Sequence, residues 1–323
     1  MEDIRIYDFE FNLLHIAHDY VTSNWTVYYN DIGTWEAHFA LNDDIVPVLM
    51  DNGYLVAVQG GKSAIITGKQ LGNDVAVYGR TCNWLLSRRV TKAFKTSEWS
   101  GSKDAETITR RLVQEAFSDV SNFTLGAVAG FTDIQSEFWR NTAHQTFDVV
   151  KDCLDNATGG HVVDFDVKNK KWVYRCLRGQ ELPLILSEAN RNAQNIICDD
   201  DILDCYTAGY YEFTPETTDG STADPEWVYI SGDKTGIYKW DAVLTGSVES
   251  EAKSDLAKRS RNTKLQADVH DLRFGVDYNL GDKVRVQKVA GSYKNTFPHR
   301  QITGVNIWYE YNNTGTQPIL EDK

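Results

Sequence analysis

The sequence predicts a mainly β protein carrying a mixed α+β insertion, and three observations carry that prediction. Apolar and polar residues alternate in short runs near both ends of the chain, the apolar spacing becomes helical in the middle, and aromatic residues are abundant, with 9 Trp, 16 Tyr and 13 Phe in 323 residues. Period-two alternation puts apolar side chains on one face of a strand, and aromatic rings suit pleated, half-buried surfaces. The expected division is residues 1–95 for a first β unit, 96–203 for the insertion and 204–323 for a second β unit. No short-period repeat is visible, although two β units of similar size are compatible with a distant duplication.

In the first unit Trp25, Val27 and Tyr29 alternate with polar residues, as do Trp35, Ala37, Phe39 and Leu41 beyond the turn at Asp31-Ile32-Gly33. Asp43-Asp44 followed by Pro47 predicts a short helix. Three more strands, 54–59, 63–69 and 75–78, are separated by Gly60-Gly61 and Gly72-Asn73-Asp74. A strand then ends at Gly79, and a short helix begins near Trp84-Leu85-Leu86.

In the insertion Ser102 is the expected cap of a helix with Asp104 and Glu106 in its first turn, where the helix dipole favours acids. Ile108, Leu112, Val113, Phe117 and Val120 supply its apolar face. Thr142 and Gln145 have the spacing of a capping box for a second helix through Phe147, Val150 and Leu154, stopped by Gly159-Gly160. A hairpin is expected from 161–167 and 171–177 across Lys168-Asn169-Lys170. The second β unit has strand candidates at 205–213, 227–231, 238–244, 265–270, 283–288 and 300–311. Between them lie a loop over 214–225, a polar helix over 249–259 with acids early and bases late, and a turn at Tyr278-Asn279-Leu280-Gly281-Asp282.

Charge and motifs restrict function. Against 33 basic residues stand 46 acidic ones, a net charge of −13, which repels phosphate backbones and disfavours ordinary nucleic-acid binding. No run approaches the roughly 20 apolar residues of a membrane span. The start, Met1-Glu2-Asp3-Ile4-Arg5, lacks the pattern of a signal peptide, so synthesis in a cytoplasm without general export is expected. Five cysteines without a C-x-x-C pair read as small buried hydrophobes.

No catalytic, cofactor-binding or metal site is predicted. Asp199-Asp200-Asp201 lacks the spaced ligands of a calcium loop, and His15 and His18 face opposite sides of a strand. His144 lacks a second histidine at zinc-protease spacing, and the other histidines are isolated. There is no G-x-S-x-G elbow. Gly126-Ala127-Val128-Ala129-Gly130 lacks the Lys and Ser/Thr of a phosphate loop. Tyr210, Tyr211, Trp227 and Tyr229 could line a sugar-binding groove, but aromatic strand faces more often form core or interface.

Two segments carry a resemblance. One is Ile4-Arg5-Ile6-Tyr7-Asp8 followed by Leu13-Leu14, Trp35-Glu36 and Gly79-Arg80 leading into Trp84-Leu85-Leu86-Ser87-Arg88-Arg89. The other is Tyr278-Asn279-Leu280-Gly281-Asp282-Lys283-Val284-Arg285-Val286 followed by Ile302-Thr303-Gly304-Val305. Together they resemble the hub proteins at the distal end of siphovirus tails, a family related to contractile-phage baseplate hubs.

That resemblance implies two β-barrel-like tube domains per chain and a homotrimer forming a pseudo-hexameric ring, located in the virion, with no enzymatic activity and no cofactor. The implied partners are the distal tail and tail tube proteins above and tip or receptor-binding proteins below, with DNA only as non-specific cargo. Some of Glu36, Asp43, Asp44, Asp271 and Asp282 are then expected to face the channel, where acidic walls would not hold DNA. Many long relatives carry a C-terminal lytic or receptor-binding extension, whereas here the chain ends soon after Gln317-Pro318-Ile319-Leu320; any lysis or host recognition is then expected to reside in a partner. A phage and a tailocin would use the same subunit. Two rival readings remain: a cell-wall carbohydrate-binding β module with exposed Trp and Tyr, and a glycan hydrolase with paired carboxylates roughly 5–9 Å apart.

Overall fold

The computed structural model describes residues 2–92, 94–95, 104–132, 139–140, 143–203, 205–215, 224–246, 248–260, 262–310 and 313–322. The expected caps Ser102 and Thr142 and most of the 214–225 loop lie outside these residues. The protein is mainly β with few helices, and it divides into one unit of residues 1–196 and 266–321 and a second of residues 197–265.

A thirteen-stranded sheet organises the chain. Starting from one edge, its order is Leu13–Ala17, Ile4–Asp8, Leu55–Gln59, Lys62–Leu71, Val75–Thr81, Thr34–Phe39 and Thr22–Tyr28. It continues through Tyr293–Glu310, Asn313–Asp322, Asn262–Val269 and Ala193–Asp201. The eighteen-residue strand Tyr293–Glu310 serves two neighbours. Its first part pairs with Lys283–Ala290, and its second part pairs antiparallel with Thr22–Tyr28, from Gly304 opposite Tyr28 to Glu310 opposite Thr22. Glu181–Ser187 runs parallel to Lys283–Ala290.

This connectivity corrects one expectation. The C-terminal strands extend the N-terminal sheet instead of closing on themselves, and no ladder joins the sheet's ends among the described residues. There is accordingly no closed barrel, since closure requires the first and last strands to pair.

The sheet's core is apolar but contains a polar network. Trp25 and Trp35 are each 1% exposed, and Ile4, Ile6, Phe39 and Val77 are fully buried. Between the tryptophans and the N-terminus sits Gln59, whose Oε1 accepts from Ser23 Oγ at 2.7 Å and Trp25 Nε1 at 2.8 Å. Its Nε2 donates to Tyr20 Oη at 2.8 Å and to the Glu2 carbonyl at 3.0 Å, and Trp35 Nε1 donates to Ser23 Oγ. Burying indole and hydroxyl donors is tolerable only because each finds an acceptor.

Tyr29 joins three segments. Its hydroxyl donates to the Leu177 carbonyl at 2.9 Å and accepts from Gly179 N, and burial pushes the phenol up to about 12. Its ring lies where a Cβ on Gly281 would come within 2.3 Å, and Gly281 has φ +89°, so the predicted 278–282 turn requires glycine there on both counts.

The insertion forms helices Ala105–Ala116 and Thr146–Asn156 beside a three-stranded sheet of Phe123–Leu125, Lys171–Leu177 and Gly160–Asp166. Its core, with Ile108, Leu112, Val150, Leu154 and Tyr174, is continuous with Tyr7, Phe11, Val56 and Leu86 of the first strands. Helix starts differ from expectation. Asp104 is the observed cap of the first helix, its Oδ1 accepting from Thr107 N at 2.9 Å. Gln145, three residues after Thr142, occupies the cap of the second, which begins at Thr146.

The second unit is small. Strands Glu226–Ile230, Ala208–Phe213 and Asp241–Val243 form a sheet in that order. Tyr211, Ile230, Ala242 and Leu244 pack on Ala252 of helix Glu249–Lys258. The cysteines only partly follow expectation: Cys82, Cys153 and Cys176 are buried, but Cys198 is exposed and Cys205 intermediate. Cys198 lies near the exposed acidic end of the edge strand Ala193–Asp201, which also places Asp199-Asp200-Asp201 in a strand.

Candidate functional site

The predicted acids fall into separate groups. Glu36 Oε1 lies 2.8 Å from His38 Nε2, and Asp74 Oδ2 lies 2.6 Å from His38 Nδ1. The hydrogen bond with Asp74, then that with Glu36, raises the imidazole's pKa. Asp43 and Asp44 gather with His15: one ligand atom from each lies within 4.8 Å of the others, and His15 Nε2 is 3.3 Å from Asp44 Oδ1. His18 instead pairs with Asp3, so the two histidines do not share a partner. Asp271 is exposed in a left-handed conformation, φ 58°.

Asp282 departs from the channel role. It is 2% exposed, its Oδ1 accepts from Gln180 N at 2.9 Å and its Oδ2 from Asn279 N at 2.8 Å. A carboxylate spent on satisfying buried amides serves the turn, not a lumen.

Glu106 follows the same logic. Beyond its dipole-favoured place in the first turn, it is 2% exposed. Its oxygens accept from Ala129 N at 2.7 Å, Gly130 N at 2.8 Å and Phe131 N at 3.4 Å. The loop tested as a phosphate cradle does bind an anion, and that anion is this chain's own side chain.

A cleft of about 830 Å³ opens in the first unit, lined by Glu2, Lys62, Cys82, Asp164, Arg175 and Arg178 among others. Its polar groups are engaged. Lys62 Nζ donates to Tyr309 Oη at 3.0 Å and to the Gly60 carbonyl at 3.1 Å, and burial lowers its pKa. Tyr309 donates to Glu2, Arg175 to Asp164, and Arg178 to the Gly130 carbonyl. Burial pushes the Cys82 thiol up to about 12, the opposite of what a thiolate nucleophile needs.

In the second unit the sheet separates the aromatics proposed for a sugar groove. Tyr211 is 5% exposed and turned toward the helix, whereas Tyr210, Tyr229 and Trp227 are 40%, 37% and 58% exposed. Register explains this: Tyr210 lies opposite Tyr229 on one side and Val243 on the other, while Tyr211 points to the other face. The Tyr210 and Tyr229 rings sit 4.8 Å apart, and Lys239 Nζ lies 4.5 Å from the Tyr229 ring centre.

Comparison with known proteins identifies the lineage. A family model described as Siphovirus ReqiPepy6 Gp37-like protein matches residues 3–239, more than half of the chain. The chain belongs to that family. No curated protein matches it. Among solved structures, this Gp37-like chain is similar to a tail protein from Neisseria meningitidis MC58, with a TM-score of 0.63 and 9% identity, over 100% of this chain and 97% of that one. It is similar to the prophage MuSo2 43 kDa tail protein from Shewanella oneidensis at a TM-score of 0.60 and 10% identity, covering 99% and 98%. For the prophage tail protein gp18 from Listeria monocytogenes EGD-e the values are 0.56 and 13%, covering 99% and 94%. The Gp37-like chain thus shares the fold of phage and prophage tail proteins over its full length. Among its described residues no helix is long and apolar enough to cross a membrane.

Proposed function

We propose that this Gp37-like chain is a non-enzymatic structural hub of a phage or phage-like tail. It would sit at the distal end, join the hexameric tail tube to the tip, and contribute to the channel wall. In this reading three copies close a pseudo-hexameric ring. Each copy supplies two tube-type segments, within residues 1–95 and 204–323, around the 96–203 insertion. Its partners would be the distal tail and tube proteins above, tip or receptor-binding proteins below, and DNA passing as cargo.

The observation that carries the reading is the fold shared end to end with the Neisseria tail protein, 100% of one chain against 97% of the other. The net charge of −13 supports it, because a wall that repels phosphate lets DNA slide. With Asp282 buried, Glu36, Asp43, Asp44 and Asp271 are the acids proposed for that wall. The test is the mass of the purified chain in solution as concentration rises: the hub reading expects a shift to three copies. A monomer at every concentration, alone and with its tube partner, would refute it.

A second reading has its own observation. Tyr210, Trp227 and Tyr229 present rings to solvent on one sheet face, as a saccharide-binding surface requires. Titration with cell-wall polysaccharide, and its loss in Trp227→Ala, would establish that role; absence of binding would remove it.

A further inference from the structure

We propose that His15, Asp43 and Asp44 form a binding site for a divalent transition-metal ion of the zinc or manganese type. The three come from two separate elements. His15 sits on the edge strand Leu13–Ala17, opposite Ile6 of the neighbouring strand, while Asp43 and Asp44 precede the helix Ile45–Asp51. That helix is anchored by Ile45 and Leu49, both fully buried, so the two aspartates are held at a fixed place beside the strand.

The three side chains bring their donor atoms close together. One donor atom from each residue lies within 4.8 Å of the other two, and His15 Nε2 already stands 3.3 Å from Asp44 Oδ1. Small inward rotations of the side chains would bring all three to the roughly 2.0–2.2 Å bond lengths of zinc. The His15 side chain is 16% exposed and that of Asp44 is 89% exposed, so the site has a protein wall and an open mouth that leaves room for water ligands. The Ile45 amide donates to Asp43 Oδ1 at 3.0 Å, orienting that carboxylate and leaving its other oxygen for the ion.

Ligand chemistry selects the class of ion. One imidazole with two carboxylates suits zinc, manganese, iron, cobalt and nickel, whereas magnesium and calcium prefer an all-oxygen shell. A bound ion would tie the sheet's edge strand to the following helix. It would also take Asp43 and Asp44 out of any DNA-repelling wall, leaving Glu36 and Asp271. The proposal stands independently of the tail-hub reading, since it needs only the residues of one chain.

The experiment is calorimetric titration of the full, chelator-stripped chain with zinc chloride and with manganese chloride, magnesium and calcium chlorides serving as comparisons. Hydrogen exchange of residues 13–17 and anomalous diffraction at the zinc edge locate the ion. The expected result is saturable one-to-one binding with slowed exchange at 13–17 and an anomalous peak at His15. His15→Ala, and separately the double variant D43N/D44N, should weaken that binding at least about tenfold. His15→Gln keeps the polar edge position occupied if alanine disturbs the strand, and it should lose binding equally. Unchanged affinity in these variants, a zinc peak at other residues, or no saturable binding by either ion would each overturn the proposal.

Discussion

The two units of this protein put the same residue types to opposite uses. In the large unit Trp25 and Trp35 are each 1% exposed and their ring nitrogens are bonded to Gln59 and Ser23. In the small unit Trp227 and Tyr238 are 58% and 67% exposed, over a core of only a few side chains. The difference follows from what each sheet has to cover it. The large sheet and the insertion share a continuous apolar core, whereas the small sheet has one helix and covers one face. Its other face carries whatever the sequence places there, and this sequence places rings.

Perturbing the large unit's network should give the largest effect. Gln59→Leu removes the acceptor of both Ser23 and Trp25 inside the core, and the expected loss is about 3–5 kcal/mol by denaturant unfolding. A loss under about 1 kcal/mol would mean that the network can be replaced by packing.

Glu106→Gln comes next. It keeps the shape but removes the charge received by the amides of Ala129 and Gly130, with an expected cost of about 1–3 kcal/mol. Hydrogen exchange should show faster exchange at those amides before any global change.

Two histidines of the large unit make its stability pH-dependent with opposite signs. His161 is fully buried, donates its Nδ1 proton to Asn30 Oδ1 at 2.7 Å, and is pushed down to about 3 by burial. The unfolded chain therefore binds a proton that the folded chain refuses, and stability falls as pH drops below about 6.5, by up to about 1.4 kcal/mol per unit. Exposed-side His38 is raised by Asp74 and Glu36; its contribution is fully present below about 6.5 and is lost as pH rises through its higher folded value. Unfolding midpoints against pH for His161→Gln and His38→Ala should separate the two: the first flattens the acid limb, the second flattens the slope above about 6.5.

The smallest stability effect belongs to the small unit's open face. Trp227→Ala should change stability by no more than about 0.5 kcal/mol, because the ring covers little of the chain's own core. A large loss would show that this face is covered by structure after all.

Sequence pattern revealed the strands wherever alternation was uninterrupted. Trp25-Val27 and Trp35-Ala37-Phe39 lie in Thr22–Tyr28 and Thr34–Phe39, and the hairpin after Gly160 forms in register. Strands Glu181–Ser187 and Asn313–Asp322 escaped because each contains a proline, Pro183 and Pro318, and the second also opens on polar residues that read as loop. Ala193–Asp201 escaped because its exposed, acidic second half carries no alternation. The pairing of Thr22–Tyr28 with Tyr293–Glu310 is a contact between the chain's two ends, which local pattern cannot contain. Sites were harder. Glu106 announces itself only as an acid in a first turn, and its partners lie in a glycine-bounded loop beyond the helix. His15 meets Asp43 and Asp44 only once a strand and a helix have packed.

The most direct test of the hub account is imaging of the purified chain, alone and mixed with its tail tube protein, followed by rotational averaging. The account predicts rings of three copies with a central hole whose lining includes Glu36 and Asp271. Single copies without a hole, or a ring whose bore is neutral or basic, would contradict it.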